Sequence, residues 1–181
     1  MKTFVIAAAA AALAGIGAPA LAQTMSQPQP QAYAGIGYTG LSPNGHDAGE
    51  VTGRLGGKMG RYWGVEAELG TGVNSTTYAS PGGRTSLSEQ PSGAGYIVGY
   101  VPITPRFELL ARVGGGDTQF KYETPTGTTQ VVSGSFNYGA GGQYFFDDKN
   151  GLRADYTRRD FQGSTAPRDM DTWSVGYVRK F

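Results

Sequence analysis

The chain of 181 residues has no cysteine and a single histidine. Without thiols there is no disulfide scaffold, no thiolate nucleophile and no thiolate metal site. Charge of one sign is missing too: fifteen Lys and Arg stand against fourteen Asp and Glu. Nucleic-acid binding needs a basic surface, so no nucleic-acid partner is expected. The only unbroken apolar run, Phe4 to Ala14, is alanine-rich and shorter than the ~20 residues of a spanning helix. A helix-anchored membrane protein is therefore not expected.

That short run has another reading. Lys2 precedes it, Pro19 interrupts it, and Ala20-Leu21-Ala22 stands before Gln23, the three-part pattern of a secretory signal peptide. Residues 1–22 are expected to be removed on export, leaving a polar, Pro/Gln-rich lead over 23–31 and one domain over 32–181. With Lys2 gone the two signs of charge are equal in number.

Glycine is abundant, at 30 residues, and aromatics make up 12%. There is no collagen period, and the aromatic content argues against a disordered linker. Gly35, Gly37 and Gly40 match G-x-G-x-x-G, the spacing of a dinucleotide-binding turn. That turn works only if a helix opens behind it to face a pyrophosphate. Here the next residues are Leu-Ser-Pro-Asn-Gly, which is turn-forming, and no 3.6-residue apolar period begins. No nucleotide or other cofactor is expected.

The rest of the chain shows period-two alternation in segments of about ten residues, the mark of strands. Eight are read: 32–41, 49–59, 63–73, 93–101, 106–116, 131–146, 151–161 and 171–181. Prolines 43, 81, 91, 102, 105, 125 and 167 fall between them, as expected of residues that cannot donate to a ladder. The links alternate in length. Those at 60–62, 102–105 and 147–150 are short, the last ending in an Asn150-Gly151 hairpin signal; those at 42–48, 74–92, 117–130 and 162–170 are longer and rich in Ser, Thr, Gly and Pro. An even strand count with tight turns at one end and long loops at the other is the plan of a transmembrane barrel.

The two faces of the segments differ sharply. Val51, Leu55 and Met59 alternate with Glu50, Thr52, Arg54 and Lys58; Trp63, Val65, Ala67 and Leu69 with Glu66 and Glu68; Phe107, Leu109, Ala111 and Val113 with Glu108 and Arg112; Leu152, Ala154 and Tyr156 with Arg153 and Asp155. Trp63, Tyr100, Phe107, Tyr144, Phe146, Phe161 and Trp173 lie near segment ends, where a membrane-interface girdle is expected. Glycine recurs on the charged face, as a narrow lumen requires. The predicted fold is all-β, an eight-stranded antiparallel up-and-down transmembrane barrel, apolar outside, with Gly35 and Gly37 facing the lumen.

The chain resembles the small eight-stranded outer-membrane barrels of Gram-negative bacteria, the OmpA/OmpX type. Its C-terminal segment WSVGYVRKF looks like the assembly signal of that class, carried by Trp173, Val175, Tyr177 and Phe181, with Arg179 where an apolar residue is usual. The resemblance implies the outer membrane as location, both termini in the periplasm, and four surface loops. It also implies outer-membrane lipids and lipopolysaccharide as surroundings, the barrel-assembly machinery as a partner during biogenesis, and a role in envelope integrity or surface contact.

Arg54, Lys58, Glu66, Glu68, Glu108, Arg112, Arg153 and Asp155 are expected to form a lumen charge cluster, with Arg54 opposite Glu68 across the 60–62 turn. Three readings are open for it: a gated ion path, a catalytic carboxylate site, and a structural salt-bridge plug. An eight-stranded lumen is just filled by side chains, which favours the plug over a narrow porin-like channel. Lipid-modifying barrels of this size use His with Ser and an acid. The lone His46, beside Asp47 in the first loop, lacks that pairing, and no enzyme is expected. Residues 118–123 and 128–132 keep strand alternation beyond the apolar span, so this hairpin is expected to protrude and offer an edge to a surface partner.

Overall fold

The computed structural model describes residues 30–42, 48–73, 75–80, 83–124, 127–161 and 169–181. The expected signal peptide, His46, Asp47 and the centres of the long loops lie outside them. Nine strands form: β1 (Gln31–Ser42), β2 (Ala48–Lys58), β3 (Trp63–Gly72), β4 (Ser75–Ser80), β5 (Gly83–Pro102), β6 (Phe107–Thr124), β7 (Gly127–Phe145), β8 (Asn150–Phe161) and β9 (Asp169–Lys180). They pair antiparallel in the order β3-β2-β1-β9-β8-β7-β6-β5-β4, and β3 also pairs with β5. That last ladder, Trp63↔Gly99 to Gly70↔Ser92, closes eight strands into a barrel. Closure matters because lipid offers the backbone no hydrogen-bond partner and an open sheet edge would remain unsatisfied there.

The ninth strand, β4, stands outside the ring and pairs with β5 alone among the described residues, from Ser75↔Ser88 to Ser80↔Gly83. The segment read as a loop over 74–92 therefore carries β4 and the first half of β5. The link over 117–130 is mostly strand, in line with the alternation at 118–123 and 128–132, since the β6–β7 ladder runs to Thr124↔Gly127. Thr, Val and Tyr favour extended backbone there, and lengthening a ladder satisfies the backbone without a core. Pro91 lies within β5, not between strands. It sits where the β5–β6 register shifts between Glu89 and Ser92, a bulge where a missing N–H is tolerated.

Both described termini and the three short turns share one end, the turn end; the opposite one is the loop end. Gly60 turns the β2–β3 connection with φ of 86°, a left-handed conformation that glycine adopts without strain. In the β7–β8 turn, Asp147 Oδ1 accepts from the backbone N–H of Lys149 (2.8 Å) and Asn150 (2.5 Å). The turn is thus held by an aspartate, and Asn150-Gly151 begins β8 and does not form the bend.

The faces are inside-out relative to a soluble protein. Ile36, Leu55, Leu69, Ile97, Leu109, Val113, Leu152 and Val175 are exposed, whereas Arg54, Glu66, Glu68, Arg112, Arg153 and Asp155 are buried. Towards the loop end the apolar band stops at outward ion pairs: Arg158 meets Asp160 and Asp171 at 3.3 Å and also contacts Asp169.

Candidate functional site: a charged lumen

The inner face is built by alternation along neighbouring strands. Register Arg54↔Glu68 puts β2 and β3 side chains opposite each other, and Gly141↔Asp155 with Gly142↔Ala154 shows how glycine on β7 leaves room for the β8 acids and arginines. A Cβ on Gly141 would lie 2.5 Å from Asp155 Cβ, so this close approach requires glycine.

At mid-lumen Arg54, Arg112 and Arg153 meet Glu66, Glu68 and Asp155. Glu68 takes Arg54 Nε at 2.8 Å and Arg112 Nη1 at 2.6 Å. Asp155 is approached by Arg54 at 3.3 Å, Arg112 at 3.4 Å and Arg153 at 2.9 Å. Glu66 receives both Arg153 Nη1 (2.5 Å) and Arg112 Nη1 (3.2 Å). Hydroxyls complete the set: Ser174 donates to Asp155 at 2.6 Å, and Arg112 donates to Thr157 at 2.6 Å. Buried ions need this kind of saturation, since each unpaired charge costs several kcal/mol. The remaining predicted residues, Lys58 and Glu108, pair separately near the turn end at 2.6 Å, with Gln143 donating to Glu108 at 2.7 Å.

Glu50 and Arg159 extend the network towards the loop end. Arg159 Nη2 lies 3.4 Å from Glu68 and 3.7 Å from Glu50, and Ser92 donates to Glu50 at 2.6 Å. A cavity of about 10 Å³, room for about one water, opens beside Glu68, Ser92, Thr118, Asn137 and Arg159. Glu50 and Arg159 continue the same inner parity as Arg54 and Arg153, and that was the available signal for them. Tyr33 shares the inner parity of Gly35 and Gly37, and Asn137 that of Gly139 and Gly141; strand parity gave no such guide for Tyr96, where both faces of β5 are apolar. Tyr33 donates to Glu66 at 2.8 Å, and Asn137 donates to Tyr96 at 3.2 Å.

The aromatic set divides. Trp63 (63% exposed), Tyr144, Phe146 and Trp173 (51%) face outward, and Phe107 is half-buried over Gly142. Tyr100 (2%) and Phe161 (7%) do not belong to the girdle; both point inward. Tyr100 has the parity of Tyr96 and Val98, and Phe161 that of Arg159, so closure of the ring carries them into the lumen. Trp173, Val175, Tyr177 and Phe181 are all exposed at the β9 end of the chain. Arg179 stands between the last two at the turn end, its guanidinium 5.9 Å from the Phe181 ring.

Outer membrane protein beta-barrel domain is the family that matches, over residues 8–181. No curated protein matches in sequence. Among solved structures, the attachment invasion locus protein Ail of Yersinia pestis, in complex with the heparin analogue sucrose octasulfate, is similar with TM-score 0.60 and 17% identity, over 85% of this chain and 100% of that one. The N-terminal β-barrel domain of Pseudomonas aeruginosa OprF gives TM-score 0.59 and 13% identity, covering 84% and 100%. Neisserial surface protein A gives 0.55 and 12%, covering 87% and 100%. At these identities the structures establish the fold. The chain belongs to the outer membrane protein beta-barrel domain family and is a protein of the cell outer membrane.

Proposed function

We propose that this barrel is a closed, non-catalytic outer-membrane protein that acts at the cell surface, its plugged lumen held rigid by a structural salt-bridge cluster. The observation that carries the reading is the ion network itself. Its arginines and carboxylates are spent on each other at 2.5–3.4 Å, which leaves none of these carboxylates poised to act as acid or base and no unpaired charge among them to draw an ion inward. The surface role is supported by the β6–β7 ladder continuing to Thr124↔Gly127, well past Phe136 and Tyr138 on the outer face. Lipids and lipopolysaccharide surround the wall, and the long strands reach beyond it towards partners.

The test is planar-bilayer recording on protein whose folded state is verified by heat-modifiable gel mobility. A closed barrel gives a silent baseline. Discrete current steps from the unmodified protein overturn the plug and favour the narrow channel.

A further inference from the structure

We infer that ions and water are stopped in the lumen by an apolar belt on the turn-end side of the ion network, and not by the network. This rests on the reading of the lumen as closed and assigns the closure to particular residues. The belt is made of Tyr33 on β1, Val98 and Tyr100 on β5, Leu110 on β6, Phe145 on β7 and Val178 on β9, all at most 6% exposed.

The strands without a bulky residue at this level carry glycine beneath a neighbour's ring. The Tyr33 ring lies over Gly56 on β2, with Cε1 2.8 Å from where a Cβ would stand. Tyr100 covers Gly64 on β3 at 3.1 Å, and Phe145 covers Gly151 on β8 at 2.8 Å. Registers Tyr33↔Gly56, Tyr100↔Leu110, Phe145↔Gly151 and Gly151↔Val178 place these groups side by side around the ring. Every strand of the barrel thus contributes either a side chain or the floor under one.

The two hydroxyls of the belt are paired, not free. Tyr100 donates to the Tyr33 hydroxyl at 2.9 Å, which donates onward to Glu66 in the network. On the turn-end side, Lys58 lies 4.4 Å from the Tyr100 ring centroid and Lys180 3.5 Å from that of Phe145, so cations cap the ring faces. The network borders a polar cavity on its loop-end side, where buried Asn137 Oδ1 has no hydrogen-bond partner in the structure. Water and small ions entering from the loop end would hydrate ion pairs. They would not wet a charge-free constriction, which excludes them by dewetting.

The experiment compares two sets of variants in planar bilayers, each verified as folded by heat-modifiable mobility. The double variant Phe145→Ala with Val178→Ala opens the belt and is expected to give current steps. The double variant Glu68→Leu with Arg112→Leu removes the central ion pair of the network while keeping its charge balance and is expected to stay silent. Should truncation prevent folding, Val178→Thr with Leu110→Asn wets the belt at nearly constant volume and is expected to conduct. Current from the network variant with silent belt variants overturns the inference, as does silence from every folded variant. Current from the unmodified protein instead refutes the closed-lumen reading on which it rests.

Discussion

Removing the Glu68 carboxylate tests whether the lumen network behaves as a single balanced ionic unit. Glu68 is 3% exposed and lies within 3.4 Å of Arg54, Arg112 and Arg159. Glu68→Leu leaves these guanidinium groups with Asp155, Glu66 and Glu50, so the cluster changes from equal numbers of cations and anions to one buried cation in excess. Breaking a buried pair from one side costs about 3–5 kcal/mol, mostly the penalty of the charge left behind. Glu68→Leu with Arg112→Leu restores the balance and is expected to cost less than the sum of the two single changes by about 0.5–3 kcal/mol. Urea titration in lipid vesicles, followed by tryptophan fluorescence and gel mobility, reads both quantities. Because the pairs are buried, the loss should be nearly the same at ~0.1 M and ~1 M salt. A single change costing under about 1 kcal/mol, or strict additivity in the double variant, would refute the reasoning.

Ala67 lies on the outer face of β3 opposite Gly95, and Ala67→Arg is expected to lose ~2–4 kcal/mol for a cation near the bilayer midplane; a cysteine there should react with a membrane-soluble maleimide and resist a charged one. Gly37 and Gly176 face each other across β1 and β9, and a Cβ on Gly37 would lie 2.7 Å from Val175 O. Gly37→Val is therefore expected to cost ~1–3 kcal/mol of overpacking, read as a lower urea midpoint. The Asp147 carboxyl is held below its usual range by hydrogen bonds from the Asn150 side chain and from the Asn150 and Lys149 backbone. A depressed folded pKa means that the turn gains from ionised Asp147 above the unfolded value of about 3.9 and loses that gain as pH falls through the folded one. NMR titration should find Asn150→Ala moving the midpoint upward. Deleting Phe181 is expected to leave synthesis and export intact and reduce the folded outer-membrane yield; unchanged yield would remove it from the assembly signal.

How much could be read from the chain depended on where the lumen is polar. In β2, β3 and β8, charged inner residues alternate with apolar outer ones, so the parity of Arg54, Glu66, Glu68, Arg153 and Asp155 was legible, as was the ring of eight strands. Phe161 was legible by the same parity, since it stands two residues beyond Arg159; its nearness to a strand end, where interface aromatics gather, pointed the wrong way. The loop-end parts of β5, β6 and β7 were read partly as loops because they are rich in Ser, Thr and Gly, which can line a ladder as well as a bend. Tyr100 was obscured for a different reason. The inner residues of β5 at this end, Tyr96, Val98 and Tyr100, are as apolar as the outer Ile97 and Val101, and alternation carries no information when both faces match. The apolar inner face of β5 is itself part of the belt that closes the lumen. In a barrel with a polar interior, a strand that loses its alternation near one end therefore marks, in sequence, the level at which the lumen turns dry.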